Sequence, residues 1–222
     1  MRHATMSSSL GESPEVLLAR SDLLFCLARA FLPPPADWSV CDWGQPLVDD
    51  LLDLGTALGL DTGSAREAIA VECERWARLA REDAGEADTW LIEYARLFLV
   101  PPVKVALNAG VYLEGSLGGE SARMMRACYE VAGVVPDERF HDLPDHVAMQ
   151  MEFVARLLER AARGDADALG MAEEYGAEFV QGWAGPLEQA CERAVEHLPA
   201  ARVYAALARL LRRCAGDGSR AK

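Results

Sequence analysis

The segment 147–158, VAMQMEFVARLL, follows a proline-acid-histidine entry and has an apolar helical repeat. At about 100° per residue, one line of the helix surface is formed by Val147, Met151, Val154 and Leu158. Phenylalanine, leucine and alanine side chains flank this line on both sides, so the apolar sector covers more than half of the circumference. So wide an apolar face predicts a central helix that packs against neighbours on several sides.

Two polar side chains lie on the apolar side of this helix, where buried polar groups need hydrogen-bond partners. They are His146 and Gln150, one turn apart. Upstream, Asp142 is expected to cap the helix, and Asp145, three residues later, is expected to act as the capping-box acid. The local pattern therefore favours structural roles for Asp145 and His146, and a functional pocket is the alternative.

Capping and breaking signals predict the other helices. The expected features are a helix from Ser13-Pro14 to Pro33, a loop over 37–45 with Trp38 and Trp43, a second helix from Pro46 to Gly59 or Gly63, and further helices at 64–79, 89–99 and 121–132. After the central helix, the pattern predicts helices at 166–183, 187–198 and 200–214, with a break at Gly185-Pro186. The stretch 101–119 has no periodicity and is long for an ordinary connection, which is typical of a functional loop.

These elements predict an all-α fold with a single globular domain of about seven to nine helices over residues 13–214. Residues 1–12 and 215–222 are expected to be disordered. The 222 residues are 51% hydrophobic and 26% charged, with no apolar run typical of a signal peptide or a membrane helix. A cytoplasmic protein is therefore expected. The net charge of −13 argues against a nucleic-acid or anionic-membrane partner and suits a cationic one.

Several common catalytic motifs are missing from the sequence, including the phosphate-binding G-x-x-x-x-G-K-[ST], G-x-S-x-G and H-E-x-x-H. Six scattered cysteines show no zinc-site spacing and are expected to be reduced thiols. Glu138 and His141 have the E-x-x-H spacing of di-iron bundles, but only one such pair occurs. These patterns point to no metal or cofactor, and by themselves they indicate only a helical soluble protein of unknown role. A small metal-dependent enzyme that uses His141, Asp142, Asp145 and His146 is the alternative.

Four segments in order resemble the TorD/DmsD-type redox-enzyme maturation chaperones. LPDHVAMQMEFVARLL at 143–158 is similar to the LPDH-L-x-x-E-L-E-F-M signature of that family, and EYARLF at 93–98 to its E-Y-x-R-L-F. VYLE at 111–114 resembles its S-V-Y-L-E segment, and EFVQGWAGPLEQACERAV with ARVYAALARLL its closing helices. The resemblance spans about residues 15–214.

The resemblance implies an all-helical, non-catalytic cytoplasmic chaperone, a monomer or a homodimer. Such a protein binds the twin-arginine leader, the apo catalytic subunit, or both, of a molybdenum-cofactor oxidoreductase and assists cofactor insertion before export. An acidic rim beside an apolar groove would suit that leader. The peptide-binding residues that the resemblance implies are Asp145, His146, Tyr94, Leu97, Phe98, Tyr112 and Gln150. An assembly chaperone of the NarJ type, for a reductase that is not exported, is the alternative.

The chain departs from the family pattern at two places. Many members have a proline, an aromatic residue and then Glu-Ser before the Val-Tyr pair, where this chain has Leu107-Asn108-Ala109-Gly110. Gln150 replaces a frequent glutamate. These differences suggest a divergent branch that serves a different client within the dimethyl-sulfoxide-reductase class.

Overall fold

The computed structural model describes residues 12–82, 89–135 and 142–216. The α-helices in these ranges are α1 Pro14–Ala30, α2 Val40–Leu58, α3 Gly63–Glu82, α4 Trp90–Phe98, α5 Ala109–Leu113, α6 Glu120–Ala132, α7 Val147–Ala162, α8 Ala166–Tyr175, α9 Gln181–Ala194 and α10 Ala201–Gly216. A π-helical segment, Gly176–Val180, joins α8 to α9 without a break. When α8 and α9 are counted as one continuous helix, the described residues form nine helices and no strand. This confirms the all-α prediction.

The central position of α7 is also confirmed. This helix packs along α1 and against α8, while α10 packs against α9 and α3, and α2 lies between α1 and α3. The line from Val147 to Leu158 is buried. Ser21 of α1 reaches into this contact, where its hydroxyl donates to the backbone oxygen of Ala155 at 2.9 Å. The wide apolar sector of α7 thus has neighbours on more than one side, as its periodicity predicts.

Local signals predicted several helix ends correctly. Ser13 caps α1, and its side chain accepts a hydrogen bond from the backbone of Val16. Gly59 and Gly133 end α2 and α6 with φ angles of 62° and 65°, the left-handed conformation that glycine adopts without strain. These ends depend on residues close in sequence, which explains why they could be predicted.

The predicted loop over 37–45 is wrong, because α2 begins before Pro46 and contains it. Ser39 and Asp42 form a capping box in which Ser39 Oγ accepts from the Asp42 amide and the Asp42 carboxylate accepts from the Ser39 amide. Trp43 is therefore helical and buried. The proline removes one backbone hydrogen bond, and the capping box together with the burial of Trp43 offsets that loss.

The predicted break at Gly185-Pro186 is also wrong, since α9 continues through both residues. Trp183, Leu187 and Cys191 are fully buried at helical spacing along α9. Interrupting the helix would expose part of this surface, so packing outweighs the hydrogen bond that the proline removes.

Residues 1–11 and 217–222, which hold most of the predicted disordered ends, lie outside the described residues. In the described ranges, no helix is long and apolar enough to cross a membrane.

Candidate functional site

The residue that caps the N-terminus of α7 differs from the predicted one. The N-cap of α7 is His146, whose Nδ1 accepts a hydrogen bond from the Ala148 amide at 3.2 Å. Asp142 lies too far upstream, because the chain first turns with a 3.0 Å bond from the His146 amide to the Leu143 oxygen. Asp142 instead accepts from the Leu143 amide and from the Asn108 side chain, at 2.6 and 3.2 Å.

Asp145 does not act as a capping-box acid, because its side chain is directed away from α7 toward the start of α5. The residue is 0% exposed. Its Oδ2 accepts from the Gly110 amide at 2.9 Å and its Oδ1 from the Asn108 side chain at 3.4 Å. Its backbone oxygen accepts from the Ala109 amide at 3.0 Å. Asp145 therefore ties the segment 108–110 to the beginning of α7.

Gln150 satisfies three buried groups at once and is itself 1% exposed. Its Oε1 accepts from the Tyr175 hydroxyl at 2.7 Å and from the Trp183 indole at 2.8 Å. Its Nε2 donates to the backbone oxygen of Asp145 at 2.8 Å. The amide thus joins α7 to α8 and α9, and it holds the turn that presents His146.

His146 is 3% exposed, and its Nε2 lies 4.0 Å from Asp142 Oδ2. Burial lowers the pKa of this imidazole below its usual value, while the Asp142 and Asp145 carboxylates act in the opposite direction. The neutral form also fits the cap, since Nδ1 can accept the Ala148 amide only when it carries no proton.

Stability should therefore fall as this histidine becomes protonated. Because the folded-state pKa is the lower one, the unfolded chain binds the proton first, and stability is lost as the pH falls through about 6.5. Protonation also removes a helix cap worth about 1 kcal/mol. We expect the urea midpoint of the wild type to drop more between about pH 7.5 and pH 5.5 than that of His146→Asn, which caps without titrating. Equal drops would contradict this role.

A large open cavity lies beside the turn before α7, and we call it the main groove. Its volume is about 1430 Å³. Its lining includes Leu32 and Pro33 after α1, Tyr94, Phe98 and Leu99 at the end of α4, Val103, Lys104 and Leu107 before α5, Val111 and Tyr112 in α5, Leu117, Tyr129, Val134 and Val135 around α6, Asp142 and His146 before α7, Met149, Glu152, Phe153 and Arg156 in α7, and Ala190 and Arg193 in α9. Ligand pockets for small molecules are typically smaller, so this volume suits a peptide segment.

The structure brings four of the predicted site residues together on this groove: Tyr94, Phe98, Tyr112 and His146. The other three, Leu97, Asp145 and Gln150, are buried behind its wall. The backbone oxygen of Leu97 accepts hydrogen bonds from the amides of Lys104 and Val105 and so positions the segment that follows α4. The Tyr112 hydroxyl likewise donates to the Ala106 oxygen at 2.7 Å, which fixes α5 against the same segment.

The rim of the main groove carries both signs of charge, in contrast to the expected acidic rim. Asp142 and Glu152 contribute carboxylates, while Lys104, Arg156 and Arg193 contribute cations. Arg156 is paired with Glu152 at 2.6 Å. The negative charge of the chain is therefore not concentrated along this groove.

Sequence reasoning missed several groove residues. Phe153 was assigned to the apolar sector of α7 and Met149 was given no role, although both line the groove. Val103 and Leu117 are 47% and 63% exposed at its rim. The signal for these two was present, because they are apolar residues in the aperiodic stretch 101–119, where no helix periodicity requires them to be buried.

Among the described residues, no three histidine, cysteine, aspartate or glutamate side chains come together in a group that could hold a metal ion. Glu138 and His141 lie outside the described residues. The alternative of a metal site that includes His141 therefore stays a prediction.

The comparisons with known proteins identify the family of the chain. The family model of the nitrate reductase delta subunit matches residues 62–189, more than half of the chain, including α4, α5, α7 and most of α9. The chain belongs to the nitrate reductase delta subunit family. This family comprises maturation chaperones of the NarJ/TorD type rather than catalysts, which supports a role in molybdoenzyme assembly.

No curated protein matches the chain. A solved structure from Archaeoglobus fulgidus, assigned as a redox enzyme maturation protein, is 17% identical. The alignment covers 95% of this chain and 98% of that one, with a TM-score of 0.46.

Proposed function

We propose that this member of the delta subunit family is a TorD/DmsD-type cytoplasmic chaperone. It binds the twin-arginine leader, the apo catalytic subunit, or both, of a molybdenum-cofactor oxidoreductase of the dimethyl-sulfoxide-reductase class, and it assists cofactor insertion before export. The observation that supports this proposal best is the main groove, a large open cavity with apolar walls beside the turn before α7. An apolar groove of this kind is a common way to hold a peptide segment.

The exposed apolar side chains at the rim support a protein client. Leu99, Val103, Leu117 and Val135 are all at least 47% exposed and all line the groove. Exposed apolar patches on a soluble protein commonly mark an interaction site. Methionine in the floor, at Met149, adds a flexible surface that can adapt to different apolar side chains.

The predicted site residues have two kinds of role in this proposal. Tyr94, Phe98 and Tyr112 contact the apolar part of the client segment, and His146 is a polar anchor at the edge of the groove. Leu97, Asp145 and Gln150 act from behind the wall by holding the segment 103–110 and the turn before α7 in place. Substitution of Asp145 or Gln150 is therefore expected to weaken binding through the shape of the groove, whereas Leu97 holds its segment with a backbone oxygen that a substitution retains.

The test is a calorimetric titration of the protein with the twin-arginine leader peptide encoded by the neighbouring molybdoenzyme gene. The heat of binding gives the affinity. The rim variant Val103→Gln with Leu117→Gln removes two exposed apolar side chains from the groove and leaves the charge unchanged. We expect it to weaken binding at least about tenfold, because each side chain loses on the order of 1 kcal/mol of apolar burial in the complex.

The matched control is Val71→Gln with Leu79→Gln on α3. These residues are 41% and 45% exposed, and neither lines the groove. The control should bind the leader as the wild type does. No binding by the wild type, or equal loss in both variants, would count against the proposal.

The family match also favours a second candidate, an assembly chaperone of the NarJ type for a reductase that is not exported. The same titration distinguishes the two if it includes the N-terminal peptide of a catalytic subunit that lacks a twin-arginine leader. Tighter binding of that peptide than of the leader would favour the second candidate.

A further inference from the structure

A second cavity opens between α1, α2 and α7. Its volume is about 580 Å³. Its lining includes Asp22, Phe25 and Arg29 from α1, Asp50 and Asp53 from α2, and side chains of α7. None of the residues predicted as a site from the sequence is among them.

The second cavity adjoins the main groove. Four residues line both, namely Ala28, Leu32, Glu152 and Arg156. The two volumes therefore meet along the C-terminal half of α1 and the adjoining face of α7. The ion pair between Glu152 and Arg156 lies at this boundary.

The two cavities differ in the balance of charge among their lining residues. The second cavity is lined by four carboxylates and two guanidinium groups. Arg29 pairs with Asp50 at 3.3 Å and Arg156 with Glu152 at 2.6 Å. The other two carboxylates of the second cavity, Asp22 and Asp53, take part in no ion pair in the described parts of the chain, and both are exposed. Lys104, Arg193 and Asp142 line only the main groove, so that cations outnumber carboxylates there.

Arg156 shows that the junction between the cavities accommodates a guanidinium group. Its Nε and Nη2 donate to Glu152 Oε1 at 3.0 and 2.6 Å. The same guanidinium lies 5.5 Å from the centroid of the Phe25 ring, within the range of a cation–π contact. A carboxylate beside an aromatic face is thus already used to hold one arginine side chain.

We propose that the main groove and the second cavity form one binding groove that fixes the orientation of its occupant. The occupant is an apolar segment with arginine or lysine side chains at one end. The apolar part lies over Tyr94, Phe98 and Met149, and the cationic end lies in the second cavity near Asp22 and Asp53. Lys104 and Arg193 repel the cationic end from the opposite side. This inference rests on the proposed function, because it assumes that a client segment occupies the main groove.

The experiment uses the full-length protein and two synthetic peptides. One has a pair of arginines followed by an apolar stretch, and the other has citrulline, which is neutral and almost the same shape, in place of both arginines. We expect Asp22→Asn with Asp53→Asn to weaken binding of the arginine peptide about fivefold at low salt. Binding of the citrulline peptide should not change. A photo-crosslinker at the arginine end should label α1 or α2.

The control variant is Glu173→Gln with Glu174→Gln, two exposed acids on α8 that line neither cavity. It removes the same charge and should leave both peptides bound as before. Equal losses in the two variants, or a crosslink to residues near Lys104 or Arg193, would overturn the orientation while leaving the proposed function intact. If the arginine and citrulline peptides both fail to bind the wild type, the proposed function fails as well.

Discussion

Replacing Gln150 with leucine is expected to lower the free energy of unfolding by about 3 kcal/mol, although leucine is apolar and close in size. The reason is that Tyr175 and Trp183 keep their buried donors but lose the acceptor that both share. Each buried donor left without a partner costs about 1 to 3 kcal/mol. The Tyr175 hydroxyl retains only the Met125 sulfur, a weak acceptor. Urea unfolding followed by tryptophan fluorescence measures the loss.

A matched control for that variant is Glu159→Leu, which introduces the same side chain at a half-exposed position of α7. It should change stability by no more than about 0.5 kcal/mol. The variant Gln150→Glu has nearly the same side-chain volume as the wild type, so it distinguishes the effect of the hydrogen bonds on stability from the effect of volume. Relative to the wild type it should be less destabilised at about pH 5 than at about pH 8, since only the protonated acid can donate to Asp145. A leucine variant as stable as the wild type would contradict the role of Gln150.

The partners of Gln150 also mark the limit of what the sequence could predict. Helical periodicity placed this residue on the apolar face of α7 and required hydrogen-bond partners for it, and both expectations are met. Periodicity could not identify Tyr175 and Trp183 as those partners, because they are 25 and 33 residues away. Their approach depends on the way α8 and α9 pack across α7, which is a property of the tertiary fold.

The prolines illustrate the same limit for secondary structure. Pro14 was assigned correctly to the start of α1, because a proline at the first helical position lacks only an amide that has no partner there. Pro46 and Pro186 were interpreted as a start and a break, yet both lie inside helices. The burial of Trp43 and Trp183 beside them decides the outcome, and burial cannot be inferred from the proline itself.

Only part of the candidate site could be predicted, again because the rest depends on how helices pack in the tertiary fold. The resemblance identified Tyr94, Phe98, Tyr112 and His146, which do line one groove. It contributed nothing about α1 and α2, whose acidic side chains form the second cavity. Those residues are exposed acids on helices, a pattern that most solvated helix faces share, so only their position beside α7 distinguishes them.

Replacing Gly110 with alanine is expected to destabilise the protein by about 2 to 3 kcal/mol and to release α5 from the turn before α7. A Cβ atom at this position would lie 2.8 Å from the Ser116 oxygen, 2.9 Å from Glu114 Oε1 and 3.0 Å from Asp145 Oδ2. The Ser116 oxygen belongs to the backbone and cannot turn aside. The two carboxylates can move only by weakening the bonds that they make.

Those bonds hold both ends of α5. Asp145 accepts from the Gly110 amide at the start of the helix. Glu114, at its end, accepts from the amides of Glu120 and Ser121 at 2.8 and 3.0 Å and so caps α6. These backbone bonds lower the pKa of Glu114, which keeps the carboxylate ionised as the cap requires. One methyl group at position 110 therefore disturbs both attachments of the segment that carries Tyr112.

The control is Gly170→Ala in α8, where an added Cβ meets nothing within 4 Å. Alanine there should stabilise the protein by about 0.5 to 1 kcal/mol, because glycine is unfavourable inside a helix. Hydrogen exchange by mass spectrometry should show faster exchange over 108–121 in Gly110→Ala only. If that variant were as stable and as protected as the wild type, Asp145 and Glu114 could not be the attachments of α5. If exchange rises while leader binding is retained, the wall around Tyr112 does not contribute to the groove's affinity.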